Sequence, residues 1–191
     1  MEILIITGPP YCGKGTQCAV LETISGFKHI STGDRVRREK TEMTAFGEIV
    51  KSYEENGNLV PDEIMQGLIA QIIDENLGEK GIILDGYPRT VSQVDTILEV
   101  LAEKHLNVSC VINIVVPKEE LLVRATKRAK ESDRKDDQDP EIHLKRIEIF
   151  ETQTGPAVEY MQQKFDVVNI DGLGTIGDIT EAIRTAIDER I

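Results

Sequence analysis

At 191 residues with a formal net charge of −12, the chain has the length of one α/β domain with a real core, and its acidity repels a polynucleotide backbone at long range. With 4% aromatic residues and no tryptophan, it offers no base-stacking platform for nucleic acid. No run reaches membrane-span length, no basic segment precedes the first apolar stretch, and Cys12, Cys18 and Cys110 form no CxxC pair. The expectation is therefore a cytoplasmic monomer with no membrane partner, no disulfide framework and no structural zinc.

The first predicted element is an apolar strand at 2–6. It runs into Gly8-Pro9-Pro10-Tyr11-Cys12-Gly13-Lys14-Gly15-Thr16-Gln17, and a helical pattern follows from Ala19. Strand, glycine-rich loop and helix in that order make a phosphate-binding loop. Phosphate oxygens need several backbone N–H donors aimed at one point with no side chains in the way. Gly13 and Gly15 allow that approach, the helix contributes its positive end, and Lys14 adds a mobile charge. Gly15 stands where Ser or Thr commonly follows the lysine, and the hydroxyl comes one place later at Thr16. Cys12 reads in two ways: a small side chain filling the loop, or a thiolate favoured by the helix terminus and Lys14.

A second strand is predicted at 28–31, and 32–59 reads as a polar, largely helical cover without strand signal. Pro61-Asp62-Glu63 opens a helix, with proline in its first turn and acids near its positive end, whose apolar positions Ile64, Leu68, Ile72 and Ile73 continue to Leu77. A strand at 81–84 precedes a helix at 90–104, capped by Thr90 and carrying Val94, Ile97, Leu98 and Leu101 on one stripe. Further strands are predicted at 108–116 and 165–170. Between them, 127–137 is dense with charge, either a solvated loop between helices or a lid that closes over phosphates. Continuous apolar runs alternating with helices predict an α/β fold with a parallel sheet covered on both faces.

Four more segments bear on function: His29-Ile30-Ser31-Thr32-Gly33-Asp34-Arg35-Val36-Arg37, Gly57-Asn58-Leu59-Val60-Pro61-Asp62, Leu84-Asp85-Gly86-Tyr87-Pro88-Arg89-Thr90 with Gln93 beyond, and the charged run paired with Arg146. With the phosphate loop, these closely resemble the nucleoside monophosphate kinases nearly end to end, and the adenylate kinase branch in its short-lid form most of all. The resemblance implies a P-loop NTPase-type core with a five-stranded parallel sheet. It also implies one kinase domain over 1–191, with a monophosphate-binding subdomain at 30–60 and a short lid at 127–138. The implied activity is reversible, Mg²⁺-dependent phosphoryl transfer from ATP to AMP, giving two ADP.

The implied roles transfer position by position. Lys14 bridges the outer donor phosphates and Thr16 meets the innermost, with Tyr11, Cys12, Gly13 and Gly15 completing the ATP loop. Arg37 and Arg89 clamp the acceptor phosphate, as guanidinium forks suit two oxygens in fixed geometry. Arg128 is placed against the donor, with Arg134 and Arg146 between donor and acceptor, while Gly172 gives a backbone contact near the donor adenine. Thr32 and Gln93 are typical of AMP recognition, Leu59 and Val60 give backbone contacts and an apolar wall, and Asn58, Gly86, Tyr87 and Pro88 complete the acceptor site. Asp85 is the candidate to hold Mg²⁺ through water, its other reading being a helix cap or an arginine partner. No zinc ligand set accompanies the lid.

Transfer between phosphates needs positioning and charge neutralisation more than a base, so His29, His105 and His143 are taken as structural or surface residues. Tyr11 departs from the family's usual glycine, and either strains the loop at a positive φ or lines the mouth of the site. A pyrimidine monophosphate acceptor is the alternative within the class. A non-catalytic adenine nucleotide sensor is the alternative outside it. A GTP-hydrolysing switch is excluded by the missing Asn-Lys-x-Asp base reader.

Overall fold

Strands buried on both faces need no polar alternation, and the apolar runs β1 (Glu2–Thr7), β3 (Gly81–Asp85) and β4 (Cys110–Val115) form such strands, while the edge strands β2 (Lys28–Ser31) and β5 (Val167–Asp171) are more polar and less buried. In the computed structural model, which describes residues 1–131 and 138–191, they make one parallel sheet in the order β2-β3-β1-β4-β5. Nine α-helices are assigned among the described residues: α1 (Lys14–Ser25), α2 (Thr32–Thr41), α3 (Ala45–Glu55), α4 (Asp62–Glu75), α5 (Val91–Glu103), α6 (Lys118–Glu131), α7 (Pro140–Ile149), α8 (Gly155–Lys164) and α9 (Ile176–Asp188). A π-helical turn, Phe150–Thr154, joins α7 to α8. No helix among the described residues is long and apolar enough to cross a membrane.

The period of two along each strand sorts its side chains between two cores. Ile3, Ile5, Ile82 and Leu84 face one, built with Ile69, Ile72 and Ile73 of α4, Val94, Ile97 and Leu101 of α5, and Met161 of α8. Leu4, Ile6, Ile83 and Ile112 face the other, with Cys18 and Leu21 of α1 and Ile179 and Ile183 of α9. The chain thus leaves β1 toward one face, through α1, and leaves β3 toward the other, through α5. These neighbouring strands are in register to Ile6 opposite Asp85. Where connections diverge to opposite faces, the carboxyl ends of the strands flank a crevice, and that is where ligands bind in open α/β sheets.

Most predicted elements are found, with informative shifts. Thr90 caps α5, its side chain accepting from Gln93 N. Pro61 sits at the cap position of α4 rather than within its first turn, and α4 ends at Glu75, so Leu77 lies beyond it and is 49% exposed. The charged run is not loop throughout: α6 continues to Glu131, so 127–131 is helix. Lys, Arg and Ala are strong helix formers, and their propensity carries the helix on without apolar burial. The remainder of the predicted lid at 132–137, with Arg134, lies outside the described residues.

The predicted cover is the α2–α3 pair. Thr44 Oγ1 donates to Glu39 Oε2 (2.8 Å) and accepts from Gly47 N (3.0 Å). Arg35 joins Glu39 to Glu75 of α4 at 2.9 and 3.0 Å, holding the cover to the body. A Cβ at Gly47 would lie 2.1 Å from the Glu39 carbonyl oxygen, so the two helices meet at a distance only glycine permits. Gly47→Ala should therefore destabilise the protein by about 1–3 kcal/mol, the usual cost of overpacking. Urea unfolding measures this, and an unchanged midpoint would mean that the cover shifts without cost.

Candidate active site

The phosphate loop is shaped by what its backbone touches. A Cβ at Gly8 (φ 142°) would lie 2.5 Å from the Ile114 carbonyl oxygen, so the loop runs flush against β4. Gly13, at φ 99°, caps α1 in the left-handed region, and no side chain competes for the helix's first N–H groups. Lys14 Nζ donates to the carbonyls of Gly8 (2.7 Å) and Pro9 (2.8 Å), folding the ammonium over its own loop. Cys12 is 2% exposed beneath the loop and packs in the core, which favours the filling role.

Beside this loop, at the diverging ends of β1 and β3, lies a cavity of about 590 Å³. Its wall on the side of the phosphate loop carries Tyr11, Gly13, Lys14, Gly15 and Thr16. The cover contributes Thr32, Arg37, Asn58, Leu59 and Val60, and the exit of β3 contributes Asp85, Gly86, Tyr87, Pro88 and Arg89, with Gln93 from α5. Arg124 and Arg128 of α6 and Arg146 of α7 also line it, as do Phe150 and Thr154 of the π-helical turn. The structure thus brings together nearly every described residue that the sequence assigned to a site. Cys12 and Gly172 do not line this cavity. Tyr87 lines it while nearly all of its ring is buried in the core.

Each cationic side chain has a local holder. Arg89 Nε donates to the Gly86 carbonyl (2.5 Å), and Gly86, at φ 84°, holds a left-handed backbone that favours glycine, with Arg89 Nη2 only 2.7 Å from where a Cβ would lie. Desolvation pulls the Arg89 guanidinium below its ordinary proton affinity. Arg146 and Arg37 add to that pull, and Asp85 opposes it. Three guanidinium groups are therefore close enough to feel one another, in a chain whose overall charge is strongly negative. Arg37 pairs with Asp34. Arg124 pairs with Glu120 (2.7 Å) and donates to the carbonyls of Cys12 (3.2 Å) and Gly172 (2.9 Å), fastening the loop to the turn after β5.

Arg124 was not singled out from sequence, although it precedes Arg128 by four residues and so shares its helix face. Asp62 was read only as an acid at a helix start. It accepts from Thr90 Oγ1 (2.8 Å) and Gln93 Nε2 (2.7 Å), while Gln93 Oε1 accepts from Arg89 N (2.8 Å). Thr32 Oγ1 donates to the Asp85 carbonyl (3.1 Å). Both expected base readers, Thr32 and Gln93, are thus buried and anchored through part of their hydrogen-bonding capacity.

The Asp85 carboxylate caps no helix and makes no ion pair with an arginine among the described residues. Its Oδ2 lies 3.4 Å from His29 Nε2, which gives His29 a place beside the site. The hydrogen bond to Asp85 raises the imidazole's pKa above its ordinary value, against the opposing effect of burial. Cys18 completes a group whose ligand atoms lie within 4.8 Å of one another. Burial, aided by the Asp85 charge, pushes the Cys18 thiol far upward, and a soft sulfur is a poor match for a hard, oxygen-seeking ion such as Mg²⁺. What remains is a hard carboxylate on the cavity wall beside Gly15, a donor suited to a hydrated Mg²⁺.

A family model described as adenylate kinase matches residues 6–166. The chain is 38% identical over 186 residues to an adenylate kinase of Bacteroides thetaiotaomicron, covering 97% of this chain and 98% of that protein. It is 40% identical over 185 residues to one of Bacteroides fragilis, covering 97% of each. Against one of Methylobacterium nodulans it is 40% identical over 190 residues, covering 96% of this chain and 95% of that protein.

The burial of all three cysteines gives a direct test. Burial pushes Cys110 up to about 11, and like Cys18 it is enclosed in the core. Native protein should react slowly with an aromatic disulfide reagent, and all three thiols of the chain should titrate once it is unfolded. Fast reaction of one thiol, lost in Cys12→Ala, would instead identify a reactive group in the loop.

Proposed function

Because the chain belongs to the adenylate kinase family and catalyses reversible phosphoryl transfer from ATP to AMP, giving two ADP, we propose the following division of labour in its cavity. Lys14, with the backbone donors of Gly13, Gly15 and Thr16, takes the donor phosphates, which exchange for the carbonyls that now hold the ammonium. Arg37 and Arg89 take the acceptor phosphate. Arg128 and Arg146, joined by Arg134 from outside the described residues, neutralise charge on the group in transit. The observation that carries this reading is the placement of Arg146. It reaches Tyr11 on the donor loop at 3.4 Å and lies close enough to Arg89 to depress its proton affinity, so it spans the two halves of the site.

The attacking oxygen belongs to an acceptor phosphate already ionised near neutral pH, so the protein's task is alignment and water exclusion. The cover at 30–60 and the lid at 127–138 are the segments proposed to close. When Mg²⁺ is bound with ATP it supplies further charge neutralisation, and Asp85 would hold it through water. The setting proposed is a monomer in a reducing cytoplasm, in keeping with three buried cysteines outside any disulfide. Gly172 and Cys12 serve the donor site from behind its wall, their carbonyls tied by Arg124.

Gln93 supports an adenine acceptor in particular. Its amide cannot flip, because a flipped Oε1 would meet the Asp62 carboxylate and a flipped NH₂ would meet the Arg89 N–H. One N–H and one carbonyl lone pair remain, matching the acceptor–donor edge of adenine and mismatching the reversed edges of guanine and uracil. Cytosine shares adenine's pattern but is smaller, and leaves part of the wall at Leu59 and Val60 uncovered.

Assays with Mg-ATP and each of AMP, CMP, UMP and GMP test this reading. AMP should be preferred, with GMP and UMP at least about 10²-fold poorer in kcat/KM, as expected where a buried polar reader is left mismatched. Preference for UMP or CMP would overturn the acceptor assignment, and ATP binding without transfer would indicate a sensor. Lys14→Met should lower kcat by about 10²–10³-fold, and substantial remaining turnover would sink the donor-side mechanism. Arg89→Ala should lower kcat/KM for AMP by about 10²-fold or more while the dissociation constant for ATP stays within about threefold. Equal losses for both nucleotides would place Arg89 elsewhere.

A further inference from the structure

The loop carries a tyrosine at a backbone position that resists one. Tyr11 has φ 68°, a left-handed conformation that is costly for a side chain bearing a Cβ and free for glycine. Such a residue persists where its surroundings hold it, and Tyr11 is contacted from α6 and α7, the helices bearing Arg128 and Arg146. Its hydroxyl lies 2.5 Å from Nδ1 of His143 on α7. The two rings meet edge to face, with centroids 5.1 Å apart and planes at 78°. Arg146 Nη1 donates to the same hydroxyl at 3.4 Å, and the Arg128 guanidinium lies over the phenol ring, 5.8 Å from its centre.

The hydrogen-bond inventory orders these contacts. A guanidinium only donates, so the Tyr11 oxygen accepts from Arg146, and the same hydroxyl is hydrogen-bonded to His143 Nδ1. The other ring nitrogen, Nε2, is buried without a hydrogen-bond partner among the described residues. His143 therefore makes its side-chain hydrogen bond to Tyr11, and it stands three residues before Arg146, on the same face of α7. This is a more specific place than the structural or surface one expected of it. On the phosphotransferase reading above, we propose that Tyr11 is a positioning residue. Buttressed by His143, it fastens Arg146 and Arg128 to the phosphate loop, so that seating the donor and aligning the two arginines become one event.

The role predicts a split between turnover and binding. Tyr11→Phe keeps the ring under Arg128 and removes the tie to Arg146 and His143. Its kcat should fall about 3- to 10-fold, the range of one net hydrogen bond, while KM for ATP stays within about twofold. Tyr11→Gly relieves the backbone and removes both contacts, so kcat should fall further although thermal stability is kept or raised. If the hydroxyl works through His143, then Tyr11→Phe combined with His143→Leu should be no slower than the worse single variant.

A merely structural tyrosine would lower the melting temperature and leave kcat of the folded fraction alone, which would overturn the proposal. So would Tyr11→Phe turnover within about twofold of the parent, or losses that multiply in the double variant. A parent that binds ATP but transfers nothing overturns both this assignment and the activity on which it rests. A parent that transfers normally alongside an indifferent Tyr11→Phe overturns the positioning role alone.

Discussion

Like charges repel, and in an acidic chain the cheapest place for basic groups is a scatter of surface ion pairs. Here Lys14, Arg37, Arg89, Arg124, Arg128 and Arg146 face a single cavity, and much of the surrounding structure answers the problem of holding them there. The answer differs by position. Lys14 rests on two carbonyls of its own loop and Arg89 on a carbonyl one turn away. Arg37 has a carboxylate beside it and Arg124 a carboxylate and two carbonyls. Arg146 reaches a phenol oxygen, and Arg128 lies over the ring of that phenol. Backbone carbonyls and phenol faces carry only partial charge, so they stabilise a cation without competing strongly with phosphate for it. Arg37 and Arg124 each have a full carboxylate partner, and Arg124 also braces the loop.

Close backbone and side-chain approach of this kind is eased where a Cβ is missing. Gly8 lets the loop lie on β4, and Gly86 lets Arg89 fold back against the exit of β3. Gly57, on the cover, lies against α7 where a Cβ would come within 3.1 Å of Ile142 and 3.5 Å of Arg146. The cover that carries Arg37 and the helix that carries Arg146 therefore meet at a glycine. The position of either element sets the spacing of the two guanidinium groups, which ties the packing of the cover to the electrostatics of the site.

The centre of the sheet was legible in the sequence because its strands are buried on both faces. Strands such as β3 had to be uniformly apolar, and a run of Gly-Ile-Ile-Leu ending in Asp85 has few other uses. The Thr90 cap was legible because capping is decided within four residues. What sequence could not yield were roles created by tertiary meeting. Arg124 reads as one of several helix-surface arginines until the turn after β5 brings the Gly172 carbonyl to it. Asp62 fits a helix dipole well enough to hide its bonds to Thr90 and Gln93, and His143 offers no local signal that a loop 132 residues earlier supplies its partner. The end of α6 was misread for a different reason. Its charge density is equally compatible with helix and loop, and propensity rather than burial decides between them.

Asp62 brings these threads together. As the first residue of α4 it could have spent its charge on the helix's own N–H groups, the usual fate of an acid there. Its two oxygens instead fix Thr90 and Gln93, one the cap of α5 and the other the proposed base reader on the cavity wall. Because a carboxylate only accepts, it dictates which end of the Gln93 amide faces it, and the Arg89 N–H dictates the other end. The residue whose guanidinium is proposed to hold the acceptor phosphate thus orients, through its backbone, the residue proposed to read the acceptor base. A base that needs the opposite amide orientation must either break the bond to a buried carboxylate or leave its own edge unpaired. Selectivity in such a site resides less in the reader than in the acid behind it, since an unrestrained glutamine would turn to suit either base.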